Sequence, residues 1–75
     1  MTEKIIEIIN ELRPYEEISY NTELIQSRIL DSLAVFALVT QLEDCFGIEI
    51  PDDAVTADNF SSVTIIARLI KNCNL

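Results

Sequence analysis

Apolar residues recur at helical spacing in three stretches of the chain. The first stretch predicts a helix over residues 3–13, with Thr2 as its cap, Arg13 at its C-terminal end and Pro14 as its stop. Its buried stripe comprises Ile5, Ile8, Ile9 and Leu12. The last stretch predicts a final helix that Ser61 or Ser62 caps, with a buried stripe of Val63, Ile66, Leu69 and Ile70.

The middle stretch predicts the longest helix. It starts at Asp31 or Ser32, and Gly47 and Pro51 end it. The predicted core-facing stripe is Val35, Leu38, Val39, Leu42 and Phe46, widened by Leu33 and Phe36. The opposite face carries small or uncharged side chains near its start and acidic ones near its end: Ala34, Ala37, Thr40, Gln41, Glu43 and Asp44.

The remaining segments lack a clean apolar period. Residues 14–31 predict a long first loop that packs back onto the helices through Leu24 and includes a short helical turn. Residues 56–60 predict a short capped turn of helix with Phe60 turned inward. We therefore expect an all-α fold, a small four-helix bundle of three main helices and one short helix, forming a single domain over residues 1–75.

Charge narrows the class of partner. The chain has 75 residues, of which 13 are acidic and five basic, for a formal net charge of −8. Nucleic acids and anionic membrane surfaces attract basic proteins, so neither is an expected partner. The acidic surface favours a basic protein partner, or it serves solubility alone.

Side chains suited to catalysis or metal binding are scarce. The sequence has no histidine, and Cys45 and Cys73 have no activating neighbour and no zinc spacing. Asp52 and Asp53 open a run that lacks the glycine and glutamate of a calcium loop. We predict neither catalytic nor metal-binding residues. No segment is long enough to span a membrane and no signal-peptide pattern is present, so we expect an intracellular, cytoplasmic protein with reduced thiols.

The pair Asp31-Ser32 has two interpretations. Both residue types are preferred helix caps, and a cap contributes about 1 kcal/mol. A serine in the first helical turn also presents its hydroxyl beside unpaired backbone N–H groups, at the positive end of the helix dipole. A phosphate ester on Ser32 would be stabilised there. The dipeptide alone does not decide between a cap and an attachment site.

The whole chain resembles an acyl or peptidyl carrier protein. Leu30-Asp31-Ser32-Leu33 matches the attachment motif of that family, and the segment LEDCFGIEIP follows ten residues beyond Ser32. Residues 55–60 resemble the family's short third helix and residues 62–70 its fourth. The resemblance covers essentially all 75 residues.

This resemblance implies a function and a set of partners. Ser32, with Asp31 in its motif, would receive 4′-phosphopantetheine from coenzyme A through a phosphopantetheinyl transferase. The arm would carry an acyl or aminoacyl group as a thioester, loaded by an adenylate-forming ligase or acyltransferase and passed to acyl-transfer or condensing enzymes. The protein itself would not be an enzyme. The alternative is an acidic helical interaction module without covalent cargo.

Departures from the family pattern refine the prediction. Arg28 stands where many relatives have glycine, and Ala34 and Ala37 replace acidic residues of fatty-acid carriers. The neutral face is closer to aminoacyl and peptidyl carriers, including D-alanyl carriers, and cargo and pathway stay open. We expect a free-standing monomer whose docking face comprises Leu33, Ala34, Ala37, Thr40, Glu43 and Asp44. Leu33 is either an exposed anchor on that face or a core residue.

Overall fold

The computed structural model describes residues 1–73, which form helices and turns with no strand among them. Its regular elements, in chain order, are α1 (Thr2–Leu12), α2 (Ser32–Phe46), a short 3₁₀ helix (Asp52–Ala54) and α3 (Val63–Cys73). Helix α1 packs against both α2 and α3. The bounds of α1 and α2 lie within about one residue of the predicted ones, and α3 starts where predicted but extends to Cys73, beyond the residues 62–70 that the resemblance implied.

Helix α1 begins one residue earlier than predicted. Met1 occupies the cap position without a side-chain hydrogen bond, and Thr2 is the first helical residue, so the prediction of Thr2 as the cap is wrong. The helix ends at Leu12, before Pro14, whose ring cannot continue it. Of the predicted stripe, Leu12 is only half-buried. The other three members are buried, namely Ile5, Ile8 and Ile9.

Helix α2 is rotated relative to the predicted stripe. Its buried residues are Ala34, Leu38 and Leu42, spaced four apart. Three members of the predicted stripe are only half-buried at the edge of the core: Val35, Val39 and Phe46. Leu33 and Phe36 do not widen the core, since their side chains are 80% and 65% exposed. Apolar residues occupy nearly every direction around the first two turns, so periodicity alone does not fix which side faces inward.

Helix α3 has the predicted start. The hydroxyl of Ser62 accepts a hydrogen bond from the Ile65 N–H at 3.3 Å, which identifies Ser62 as the cap. Val63, Ile66 and Ile70 are buried, whereas Leu69 is only half-buried. The spacing of three and four residues places the buried side chains on one face of α3, and that face packs against α1.

Leu24 anchors the segment between α1 and α2, as predicted. Its side chain is fully buried, its N–H donates to the Ser61 carbonyl and its carbonyl accepts from the Leu30 N–H, both at 2.9 Å. The predicted helical turn is present within the segment, where the Ser27 N–H donates to the Glu23 carbonyl at 3.0 Å. These bonds fix the path of the chain into α2.

The predicted capped turn at residues 56–60 is present, and a short helix that the sequence did not predict lies just before it. The regular piece is the 3₁₀ helix Asp52–Ala54, whereas residues 56–60 form hydrogen-bonded turns. Within them the Phe60 N–H donates to the Thr56 carbonyl at 3.2 Å, and the Thr56 hydroxyl accepts from the Asn59 N–H at the same distance. Phe60 is fully buried, as the sequence indicated, and it pins this segment to the core.

Two of the residues that the structure describes adopt the left-handed backbone conformation. Gly47, at the end of α2, has φ of 63°, and Arg28, in the loop, has φ of 64°. For a residue with a Cβ this conformation costs roughly 1–2 kcal/mol. Glycine avoids that cost, although it loses about 0.5–1 kcal/mol more conformational entropy on folding. Arg28 is therefore a strained position that a glycine would relieve.

We expect Arg28→Gly to raise the free energy of unfolding by about 1 kcal/mol, because relief of strain exceeds the entropy penalty. Gly47→Ala is expected to lower it by a similar amount; the added Cβ meets nothing within 4 Å, so the penalty is conformational. Chemical denaturation measures both. Arg28→Ala keeps the Cβ and serves as the control. Equal stabilisation by Arg28→Ala and Arg28→Gly would contradict the assignment of strain to the backbone.

Candidate functional site around Ser32

Ser32 is the first residue of α2, and its side chain is exposed. The cap is Asp31, whose Oδ1 accepts a hydrogen bond from the Ala34 N–H at 2.9 Å while its carbonyl accepts from the Val35 N–H at 2.9 Å. The Ser32 hydroxyl makes no hydrogen bond to any other residue within 1–73. The two residues therefore have separate roles: Asp31 caps the helix, and the Ser32 hydroxyl is available for chemistry.

The electrostatic surroundings of Ser32 suit an anionic group. The acidic neighbour of Ser32 is Asp31, whose carboxylate already accepts from the Ala34 N–H and lies 3.8 Å from the Arg13 guanidinium. The first turn of α2 itself has no acidic residue, and the helix N-terminus carries a partial positive charge. Unpaired N–H groups of the first turn are natural donors to phosphate oxygens. A phosphodiester formed on the exposed hydroxyl is therefore compatible with this position.

Arg13 ties the end of α1 to the segment that leads into Ser32. Its Nε donates to the Ile29 carbonyl at 2.9 Å and its Nη1 to the Leu12 carbonyl at 3.0 Å, while its Nη2 lies 3.8 Å from Oδ2 of Asp31. The sequence assigned Arg13 only to the end of a helix. The contacts with Ile29 and Asp31 join positions far apart in the chain, and no spacing rule predicts them.

Asp31→Ala is expected to lower the free energy of unfolding by about 1 kcal/mol, because the cap of α2 is lost. Asp31→Asn keeps a capping oxygen and removes only the ion pair with Arg13. That pair is long and its Asp31 side chain is 64% exposed, so its contribution is small. We therefore expect Asp31→Asn to change stability by less than about 0.5 kcal/mol in urea titrations. Equal losses in the two variants would mean that the ion pair, and not the cap, is the main contribution.

An outward stripe on α2 contains four of the six predicted docking residues. They are spaced four, three and four apart, which places them on one side of the helix: Leu33, Ala37, Thr40 and Asp44. Leu33 is 80% exposed, which decides between its two interpretations in favour of the surface. Phe36, which the sequence placed in the core, is 65% exposed and enlarges the apolar part of this stripe. The sequence also contains a stripe of Ala34, Leu38 and Leu42 spaced four apart, and a choice of that stripe as the core face would have placed Phe36 outward.

The other two predicted docking residues have structural roles. Ala34 is only 5% exposed and belongs to the core, so its assignment to a docking face is wrong. Glu43 is half-buried, and its Oε2 accepts a hydrogen bond from the Ile50 N–H at 2.8 Å. The carboxylate of Glu43 thus fastens the chain that follows α2 back onto that helix.

A groove of about 670 Å³ opens beside Ser32. Three parts of the chain line it, namely the loop before α2, the first turns of α2 and the segment after the 3₁₀ helix: Ile25, Arg28, Leu30, Asp31, Ser32, Val35, Phe36, Val55, Thr56 and Ala57. Sequence analysis did not find the groove, because its walls come from segments up to about 30 positions apart. A volume of this size is typical of small-molecule sites.

Other candidate chemistry is sparse in the part of the chain that the structure describes. Within residues 1–73 no cluster of three or more histidine, cysteine, aspartate or glutamate side chains could hold a metal ion. Cys45 is exposed and Cys73 half-buried, and neither forms a disulfide. None of the helices described is both long and apolar enough to cross a membrane.

Comparison with known proteins identifies a family. The family model described as "Phosphopantetheine attachment site" matches residues 3–70. No curated protein and no solved structure matches the chain. Domains of this family carry a 4′-phosphopantetheine prosthetic group, work with partner enzymes such as a phosphopantetheinyl transferase, and are not catalytic. Because the match covers nearly the whole length, the chain belongs to the phosphopantetheine-binding family of carrier domains.

Proposed function

We propose that Ser32 is the residue that carries the 4′-phosphopantetheine group, and that the chain holds acyl or aminoacyl intermediates on it as thioesters. The observation that supports this most directly is the division of roles at the start of α2. Asp31 supplies the cap, and the Ser32 hydroxyl is exposed with no hydrogen-bond partner in the described residues. The motif Leu30-Asp31-Ser32-Leu33 supports the same assignment.

The attachment reaction needs only the Ser32 hydroxyl from this chain. Its Oγ forms a bond to the phosphorus of the phosphopantetheine part of coenzyme A, the pyrophosphate P–O bond breaks, and 3′,5′-adenosine diphosphate leaves. A base of the transferase takes the hydroxyl proton. Once attached, the group supplies a terminal thiol for thioester formation. The helix N-terminus stabilises the resulting phosphodiester.

The outward stripe is the proposed docking surface for the transferase, for the adenylate-forming ligase or acyltransferase that loads the arm, and for acyl-transfer or condensing enzymes. Leu33 and Phe36 stand out from α2 within one turn of Ser32 and suit an apolar pocket on a partner. Asp44 lies about three turns from Ser32 and suits a basic side chain. A small interface of this kind is typical of transient encounters.

The subtype that we propose is an aminoacyl or peptidyl carrier, D-alanyl carriers included. Ala34 no longer contributes to this argument, since it is buried. The support comes from the exposed face nearest Ser32, where Leu33, Phe36 and Ala37 are uncharged. Fatty-acid carriers resemble this chain in motif but present acidic residues there.

Four further features complete the proposal. Residues 1–75 act as one carrier domain, in the cytoplasm, and as a monomer whose docking surface stays open. The segment with the 3₁₀ helix and the turns at residues 56–60 acts as the short third helix of a four-helix arrangement. An interaction module without covalent cargo is not favoured, because the family match covers residues 3–70.

The proposal is tested by incubating the purified chain with coenzyme A and a broad-specificity phosphopantetheinyl transferase. Intact mass is measured before and after, and fragment masses locate the modification. We expect a gain of one phosphopantetheinyl group, confined to the fragment that contains Ser32. Omission of the transferase is the control. Well-folded protein that gains no mass with more than one transferase, or gains it on another fragment, would overturn the assignment.

A further inference from the structure

Among residues 1–73, Arg28 is the only basic residue that lines the groove beside Ser32, and Asp31 is the only acidic one. Asp31 already has partners in the Ala34 N–H and the Arg13 guanidinium. Arg28 is exposed and forms no ion pair or side-chain hydrogen bond within residues 1–73. A cation without a partner thus stands at the groove, in a chain whose net charge is −8.

The backbone of Arg28 gives a second, independent observation. Its φ of 64° lies in the left-handed region, where glycine is the residue without strain. Non-glycine residues held in such conformations cluster at binding sites and at switch regions. The turn itself has no need of an arginine side chain. The chain therefore bears a strained backbone at a residue that lines the groove.

The walls of the groove are otherwise mostly apolar. Its apolar lining combines side chains of α2 with others from both flanking segments: Ile25, Leu30, Val35, Phe36, Val55 and Ala57. Small-molecule sites commonly have this character, an apolar surface with a few polar groups that fix orientation. A ligand that matches the groove has an apolar body and one anionic end.

We propose that the groove binds the group carried on Ser32, and that Arg28 pairs with a carboxylate at the far end of that group. The ligand class is a dicarboxylic acyl group or an aminoacyl group with an acidic side chain, attached through its other carboxyl. This inference rests on the proposed function, since the arm must be attached at Ser32. The planar guanidinium binds a carboxylate through two parallel hydrogen bonds. It also offsets the repulsion between such cargo and an acidic carrier.

The test compares three cargoes of equal chain length. The apo protein is loaded in one step by a phosphopantetheinyl transferase from hexanoyl-coenzyme A, from adipoyl-coenzyme A, or from adipoyl-coenzyme A whose free carboxyl is a methyl ester. Intact mass verifies each product. Failure to load would count against the proposed function, whereas everything measured afterwards concerns Arg28 alone. The readouts are the thermal midpoint and the amide chemical shifts of Val55 and Ala57 at the groove.

We expect the adipoyl form to melt about 6 °C above the other two, the shift that corresponds to roughly 1 kcal/mol in a domain of this size. The amide shifts of Val55 and Ala57 are expected to change with it. Arg28→Gln, which keeps the Cβ, removes the difference, and high salt weakens it. Arg68→Gln, on the exposed side of α3 and away from the groove, leaves it intact. Equal behaviour of the three cargoes, or an adipoyl effect that survives in Arg28→Gln, would overturn the proposal.

The phosphodiester that joins the arm to Ser32 is the other anion within reach of the same guanidinium. Phosphorus NMR of the arm without cargo distinguishes the two sources. We expect the phosphorus chemical shift to be the same in the native chain and in Arg28→Gln. A change in that shift, together with equal melting of the three cargo forms, would assign Arg28 to the phosphodiester and refute pairing with cargo.

Discussion

Replacing Ser32 with alanine is expected to abolish phosphopantetheinylation and to change the free energy of unfolding by less than about 0.5 kcal/mol. The Ser32 side chain is exposed and donates to no atom of residues 1–73, and the cap of α2 comes from Asp31. Alanine is also a good helix former in the first turn. Intact mass after reaction with coenzyme A and a transferase measures the first effect, and urea denaturation the second.

Ser62→Ala is the matched control for this substitution. Ser62 also stands at the start of a helix, but its hydroxyl caps α3 by accepting a hydrogen bond from the Ile65 N–H. We expect Ser62→Ala to lose about 1 kcal/mol of stability and to be modified like the native chain. The two substitutions should thus have distinct effects: Ser32→Ala abolishes the modification, and Ser62→Ala lowers stability. Full modification of Ser32→Ala would refute the attachment site, and a large loss of stability would show that Ser32 has a structural role.

Local signals in the sequence predicted the ends of the helices well. Asp31 before an apolar run, and Gly47 with Pro51 after it, fix both ends of α2 through a cap, a left-handed residue and a missing N–H. Phe60 was identified as buried because it is a large apolar residue among turn-forming neighbours, and Leu24 was the expected anchor among the apolar residues interspersed in the first loop. Such effects depend on a few adjacent residues, which the sequence shows directly.

The rotation of α2 could not be predicted in the same way. Its first two turns carry apolar residues on all sides, so the choice between the stripe through Ala34 and the stripe through Val35 depends on packing against α1. That choice moved Ala34 into the core and exposed Leu33 and Phe36. It also decided the composition of the proposed docking surface. An error of one position along a helix is a rotation of about 100°, enough to exchange core and surface.

The groove and the contacts of Arg13 could not be predicted from the sequence for a different reason. Each depends on segments that are distant in the chain and meet only in the folded structure, such as those of Val35 and Val55, which both line the groove. Arg28 was recognised as a departure from the glycine of related carriers. Its strained conformation confirms that the position calls for a left-handed residue, and its place beside the groove gives the departure a physical meaning.

Leu24→Ala and Leu33→Ala make the same chemical change in opposite surroundings. Leu24 is fully buried and Leu33 is 80% exposed. We expect Leu24→Ala to lower the free energy of unfolding by about 2–5 kcal/mol, since truncation leaves a cavity in the core. Small domains have stabilities near the low end of roughly 5–15 kcal/mol, so this variant will be partly unfolded at moderate temperature. Leu33→Ala is expected to change stability by less than about 0.5 kcal/mol.

The effect of Leu33→Ala should be on partner enzymes instead. If Leu33 is an apolar anchor for docking, its truncation removes about 1–2 kcal/mol of binding and lowers kcat/KM for phosphopantetheinylation about tenfold. Initial rates under conditions where the variant is fully folded measure this effect, with Thr2→Ala on α1 as a surface control. A destabilisation similar to that of Leu24→Ala would return Leu33 to the core. An unchanged kcat/KM, for the transferase and for a loading enzyme alike, would exclude Leu33 from the docking surface and leave Phe36 as its remaining apolar anchor.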